Sequence, residues 1–318
     1  MHDKSPHLVI IRSKLWKCPP RPKVTIAIGL IVKARQNRAG AIIFASDSQT
    51  TFPGGQKRLD AQKINTVQFS DAEILVAQAG SAELADKTID LMQQKAKDVC
   101  LTSLDSVLDV LQRSVKEVRN HLKELNSGCG YSHEDWTKFW QENSFDLMVG
   151  FYLGNYPQIY TIDIQSALPN KVKGAFKAIG CGKFIAEFLL TEYQSADPDL
   201  DYGYPAAISV VERTIDNVEG CGRPIWVGAV NRTPQFALDD TEPEETPFKC
   251  TTKLFSQIEI GWVVDELKSS EETFKPQQKD MMVKVLRGAW EKYWKNVEKL
   301  NNDAEAEMKR RGMQIPPA

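Results

Sequence analysis

The sequence predicts an α+β fold in which helices pack outside stacked sheets, and three observations carry that prediction. Apolar, β-branched runs arrive in blocks rather than singly. Each of the first two blocks is followed by a pair of segments with helical periodicity. The strand–helix–strand alternation of a doubly wound parallel sheet is missing, so the coarse order reads ββββ, αα, βββ, αα, β, then a helical tail.

The first block begins abruptly. Residues 1–23 form an irregular leader, because Pro19, Pro20 and Pro22 exclude regular structure. At Val24 the run VTIAIGLIV starts, and AIIFASD (41–47) is its partner across the polar, glycine-ended loop ARQNRAG. A turn-rich stretch, TTFPGGQKRLDA, precedes two more strands, INTVQF and EILVAQAG.

From Ser81 the hydrophobic period changes from about 2 to about 3.6. Leu84, Leu91 and Met92 share one helical face, and Leu104, Leu108, Leu111, Val115, Val118 and Leu122 share another. The reading is two helices over 81–98 and 103–125, then an inserted loop or short helix in SGCGYSHEDWTKFWQEN. FDLMVGFYL, QIYTIDI and GAFKAIG supply the second strand block. Helices over 183–195 and 204–218 follow, the second starting at Pro205, a favoured first-turn residue. RPIWVGAV is a last strand, DDTEPEETPFK an acidic loop, and 276–311 a charged helical segment.

Composition removes several classes of function. A 318-residue chain with 42% hydrophobic and 26% charged residues can build a real core. Its net charge of −2 exerts no general pull on nucleic acid or anionic membrane. No apolar stretch of about 18 residues is present to span a bilayer, and the basic, proline-rich start does not read as a signal peptide. Six dispersed cysteines without a CxxC pair point to free thiols in a reducing, cytoplasmic setting. Four histidines without ligand spacing argue against a metal, and nothing calls for a cofactor.

Three polar residues stand at strand ends: Thr25 opens the first strand, Asp47 closes the second and Lys63 precedes the third. Singly, each fits a bland role as a strand former, a turn former or edge protection. Together they form an acyl-transfer set. A threonine hydroxyl is a weak nucleophile and needs an adjacent base. A threonine at a free N-terminus carries one, since an α-amine titrates at about 7.7–8.0. A lysine beside it lowers that value by like-charge repulsion, and an aspartate holds the lysine in place.

The segments TIAIGLIV, FASDSQTT, QKINTVQF and VAQAGSAE resemble the opening of 20S proteasome β-type subunits, which are N-terminal-nucleophile hydrolases. Gly29 lies four residues after Thr25, and Lys63 lies sixteen after Asp47, as in that family. The resemblance spans about 25–235 and implies a four-layer αββα sandwich of two antiparallel sheets flanked by helix pairs. It implies that Thr25 is the nucleophile and that Gly80 donates its N–H to the oxyanion. It places the family's accessory serine on Cys181 and its later aspartate on Asp216, with Asn217 as the alternative. It also implies a substrate pocket lined by Thr50, Ala61, Asn65 and Gln78.

The resulting expectation is a threonine peptidase or amidohydrolase acting on peptides or unfolded proteins within a homo-oligomeric ring, its ATPase partner unspecified. Residues 1–24 would then be a propeptide, a leader, or an untranslated stretch upstream of a start at Val24. Residues 236–318 would be an acidic loop and charged helical extension. Family propeptides end in glycine where this chain has Val24. If Thr25 stays blocked, the alternative is a catalytically silent ring or scaffold subunit.

Overall fold

The computed structural model describes residues 25–32, 40–51, 57–58, 61–101, 103–194, 200–234, 248–261, 263–265 and 310. The chain divides into two units, residues 1–264 and 265–318. The leader and nearly all of the expected helix over 276–311 lie outside the described residues.

Two five-stranded antiparallel sheets form the first unit. One has the order β10-β1-β2-β11-β12, from β1 (Ile26–Val32), β2 (Ala41–Asp47), β10 (Phe176–Gly180), β11 (Ile225–Pro234) and β12 (Phe248–Leu254). The other has the order β5-β6-β7-β8-β9, from β5 (Ile64–Gln68), β6 (Glu73–Gly80), β7 (Phe145–Leu153), β8 (Tyr156–Asp163) and β9 (Asn170–Lys171). A small hairpin, β3 (Thr50–Thr51) with β4 (Lys57–Arg58), emerges from the turn-rich stretch.

Helix α1 (Ala82–Ala96) packs on β5, β6 and β7, and α2 (Leu104–Asn126) packs on α1. Helices α4 (Lys183–Gln194) and α5 (Leu200–Asn217) pack on the other sheet, against β10, β1 and β2. This explains why β2 is buried along its whole length and reads as a continuous apolar run. A central strand covered on both faces has no solvated side on which to place polar residues.

The sheets meet face to face around Phe44. A Cβ added to Gly29 of β1 would lie 2.8 Å from the Phe44 ring and 2.9 Å from Met148 Sδ of β7. A Cβ on Gly150 of β7 would lie 2.8 Å from the same ring and 2.9 Å from Ile42 of β2. Both glycines therefore make room for one buried aromatic at the sheet–sheet contact. A polar tie adds to it: Thr252 of β12 donates its N–H to Glu73 Oε2 at the start of β6 (2.9 Å).

Two elements depart from the sequence reading. β12 continues the first sheet past residue 235, the expected domain end, into the stretch expected to be an acidic loop and helical extension. Helix α5 begins at Leu200, and Pro205 lies inside it rather than at its start. The insertion, expected as a loop or a short helix, contains α3 (His133–Glu142), fixed by a capping box between Ser132 and Asp135.

The packing around Phe44 gives a double-substitution test. Gly29→Ala should lower stability by about 1–3 kcal/mol through overpacking, and much less when Phe44→Leu supplies space. Urea unfolding of both single variants and the double checks this. Additivity within about 0.5 kcal/mol would show that the two sites do not share that space.

Candidate active site

Strand register brings the ends of β1 and β2 together. Ala27 faces Ser46 across the ladder, so Thr25, at the entry to β1, lies beside Asp47, the last residue of β2. Lys63 approaches from the second sheet. Its carbonyl accepts from Gln78 N–H (3.0 Å), which holds the backbone against β6, while its side chain crosses to the first sheet. All three are buried: Thr25 is 2% exposed, Asp47 0% and Lys63 3%.

Asp47 is the acceptor at the centre. Its Oδ1 accepts from the Thr25 hydroxyl (2.9 Å), from Ile26 N–H (3.0 Å) and from Lys63 Nζ (2.7 Å). Its Oδ2 accepts from Gln49 N–H (3.2 Å) and Gly222 N–H (3.1 Å). A buried carboxylate needs such compensation, since removing it from water costs several kcal/mol. Lys63 Nζ also donates to Thr25 Oγ1 and to the Gln49 carbonyl. The threonine hydroxyl thus sits between an ammonium and a carboxylate.

Burial pushes the Lys63 pKa below that of an ordinary lysine, and the neighbouring Asp47 only partly offsets the fall. The sign matters for stability. A lysine that binds its proton less tightly when folded disfavours the folded state below its folded pKa. That penalty fades as pH rises from there towards 10.5, the ordinary lysine value.

Two glycines permit the close approach of these strands. Gly180, at the end of β10, has φ +93°, and an added Cβ would lie 2.2 Å from the Thr25 carbonyl oxygen. Gly80, at the end of β6, has φ +101°, and its Cβ would lie 2.5 Å from Ser144 O. Neither position accepts a side chain. Gly80 shares a cavity of ≈ 10 Å³ with Thr25, Lys63, Gln78, Ala79, Ser81, Ala82 and Ala85. The cavity lies at the N-terminal end of α1, where helix N–H groups favour developing negative charge.

The remaining predicted positions divide. Cys181 adjoins Thr25: its N–H donates to the Thr25 carbonyl (2.9 Å), and its Sγ is 3.3 Å from the same oxygen. Gln78 lines the cavity. Ala61 and Asn65 are half-buried and do not line it, and the Thr50 side chain lies outside the described residues. Asp216 requires a correction. It is an exposed residue of α5, paired with Arg223 at 3.0 Å, and Arg223 also pairs with Glu212. That ion pair holds it at the surface. Asn217 is no substitute, since its side-chain amide donates to Arg213 O on its own helix.

Residues 220–222 are outside the set of site residues expected from the sequence, yet they close the site from the far side. Gly222 N–H binds Asp47, Gly222 O accepts from Ser48 N–H (3.0 Å), and Gly220 O accepts from Gln49 Nε2 (2.6 Å). Among the described residues there is no cluster of three or more side chains able to hold a metal ion, and no helix is long and apolar enough to cross a membrane.

The likeness of this chain to known proteins lies in its fold. No protein-family model matches the sequence, and no curated protein matches it either. Among solved structures, Anbu (ancestral beta-subunit) from Yersinia bercovieri aligns with 80% of this chain and 97% of its own, at 15% identity and a TM-score of 0.54. The helical assembly of the Anbu complex from Pseudomonas aeruginosa aligns with 79% and 95%, at 18% identity and 0.56. Anbu from Hyphomicrobium sp. strain MC1 aligns with 80% and 98%, at 13% identity and 0.53. The chain therefore shares the fold of ancestral beta-subunit proteins, which agrees with the proteasome-like fold expected from the sequence; at these identities the likeness carries the fold alone.

The charge arrangement predicts a contrast between two aspartates. Asp47→Asn should cost about 3–5 kcal/mol, because it leaves Lys63 buried without a counter-charge. Asp216→Asn should cost less than about 1 kcal/mol, the scale of an exposed pair. Urea denaturation of both variants reads the difference, and equal losses would contradict the account of Asp47.

Proposed function

We propose that the chain is a threonine amide hydrolase of the N-terminal-nucleophile class, related to proteasome β-type subunits, with Thr25 as its nucleophile. The observation that carries this is the Thr25 hydroxyl held between Lys63 Nζ and Asp47 Oδ1 in a buried site. The two sheets and their helix pairs are read as the four-layer αββα sandwich of that class.

The mechanism starts once residues 1–24 are removed and the Thr25 amine is free. Thr25 Oγ1 bonds to the substrate carbonyl carbon while its proton passes to the α-amine, directly or through a water. The Gly80 N–H receives the oxyanion. The scissile C–N bond then breaks, and the proton goes to the departing amine. A water attacks the resulting ester with the same amine as base, which releases the acid and restores the hydroxyl. Lys63 keeps the nearby amine neutral by like-charge repulsion, and Asp47 fixes Lys63.

Self-association belongs to this reading. The Pseudomonas aeruginosa protein is described as a helical assembly, and enclosure of the sites would limit hydrolysis to unfolded chains. A second reading, a catalytically silent scaffold subunit, is favoured by one observation. Thr25 is 2% exposed, and the cavity beside it, at ≈ 10 Å³, has room for little more than a water.

Intact mass together with peptide hydrolysis separates the two. The enzyme reading predicts a mature protein lacking residues 1–24 that cleaves peptide amides. Thr25→Ala should be inactive, and Lys63→Met should lower the rate, most at and below neutral pH, because the amine base then holds its proton more tightly. An unprocessed, inert assembly would establish the scaffold reading.

A further inference from the structure

Two residues after Asp47, the buried Gln49 makes three bonds that bear on Thr25. Its N–H donates to Asp47 Oδ2 (3.2 Å), its carbonyl accepts from Lys63 Nζ, and its side-chain Nε2 donates to Gly220 O (2.6 Å). Ser48 and Gln49 lie between β2 and β3, outside the strand ladders, so no strand pairing sets their position. The carbonyl bond fixes the ammonium. A lysine ammonium has three donors, and here they serve Asp47 Oδ1, Thr25 Oγ1 and Gln49 O. With Gln49 O in place the set is complete and one N–H stays aimed at the threonine hydroxyl. With Gln49 displaced, one donor of a buried ammonium is left without an acceptor, which is costly, and the ammonium turns to find another.

We propose that Gln49 is a positioning residue for Thr25: its side-chain amide ties it to the 220–222 segment and so keeps its carbonyl on Lys63 Nζ. The tie works in both directions. The outer end of that segment is held by Arg223, which pairs with Glu212 and Asp216 of α5 at the surface. Exposed pairs of this kind hold little. The inner end is held by Gly222 N–H on Asp47 Oδ2 (3.1 Å), by Ser48 N–H on Gly222 O (3.0 Å) and by the Gln49 amide on Gly220 O. The Gln49 side chain also lies against the segment's backbone. A Cβ added to Gly222 would lie 2.6 Å from Gln49 Oε1 and 3.0 Å from Gln49 Cβ. The glycine is what permits that approach.

Gln49→Met isolates the amide. The variant keeps a side chain of similar length and volume and keeps both backbone groups of residue 49, so the N–H for Asp47 and the carbonyl for Lys63 are still present. Only the bond to Gly220 O is lost. Residues 48–49 and 220–222 then separate more often, and each separation releases Lys63 Nζ and Asp47 Oδ2 together.

The test is hydrogen–deuterium exchange of the full chain, read by mass spectrometry on the wild type and Gln49→Met, with peptide hydrolysis kinetics on both. Peptides spanning 46–50 and 218–226 should exchange on the order of tenfold faster in the variant, the scale of one lost hydrogen bond. Peptides of β7 should exchange at the wild-type rate. Unchanged exchange across 218–226 would overturn the proposal. So would a gain spread equally to β7, which marks a loss of stability rather than of position. Under the threonine-hydrolase reading, on which this arm alone rests, kcat should fall on the order of tenfold with KM unchanged, a fraction of the cost of a ~1 Å misplacement. An unaltered kcat beside a loosened 220–222 segment would also overturn the proposal. A wild-type protein that hydrolyses no peptide defeats the hydrolase reading, while the exchange comparison still decides the tie, so the two failures are distinct.

Discussion

A buried carboxylate that must be satisfied from five directions organises this molecule. Asp47 receives N–H or O–H donors from β1, from the loop after β2, from the segment before β11, and from Lys63 of the other sheet. Charge-assisted hydrogen bonds are each worth about 1.5–3 kcal/mol. Burying the two ions costs several kcal/mol apiece. The terms are of similar size, so the pair gives little net stability. Its effect is geometric, because the carboxylate is compensated only when all five donors arrive, and their arrival fixes Thr25.

The fold supplies that convergence through strand ends rather than through a flexible loop. The Thr25 hydroxyl is aimed by the first residue pairs of β1 and β2, and Lys63 by the backbone step into β5. Gly180 and Gly80 lie where strands must approach closer than any side chain allows. The same crowding leaves the cavity beside Thr25 small, so access to it is the quantity on which the enzyme and scaffold readings diverge.

The core of this arrangement was legible in the sequence. Thr25, Asp47 and Lys63 sit at strand boundaries that composition marks clearly, and register then makes them neighbours. Other positions depended on competition that sequence does not record. Asp216 has the right side chain, one residue off the expected spacing, but Arg223 offers it a partner at the surface. β12, with its sequence FKCTTKL, alternates lysines with short polar residues and follows an acidic, proline-bearing stretch. Its strand character comes from pairing with β11, a tertiary gain that local propensity does not reveal. Ala61 and Asn65 occupy plausible pocket positions, yet of the three expected pocket residues whose side chains are described only Gln78 reaches the cavity.

The central claim is that Thr25 acts with both its hydroxyl and its own amine. A peptide epoxyketone reports on both groups at once, since its stable ring adduct needs the oxygen and the free nitrogen of one N-terminal residue. Mass mapping of the labelled protein should place the adduct on Thr25 as the first residue of the chain, with none on Thr25→Ala. Equal labelling of the two proteins, or a protein that takes no label while fully lacking residues 1–24, would contradict the account.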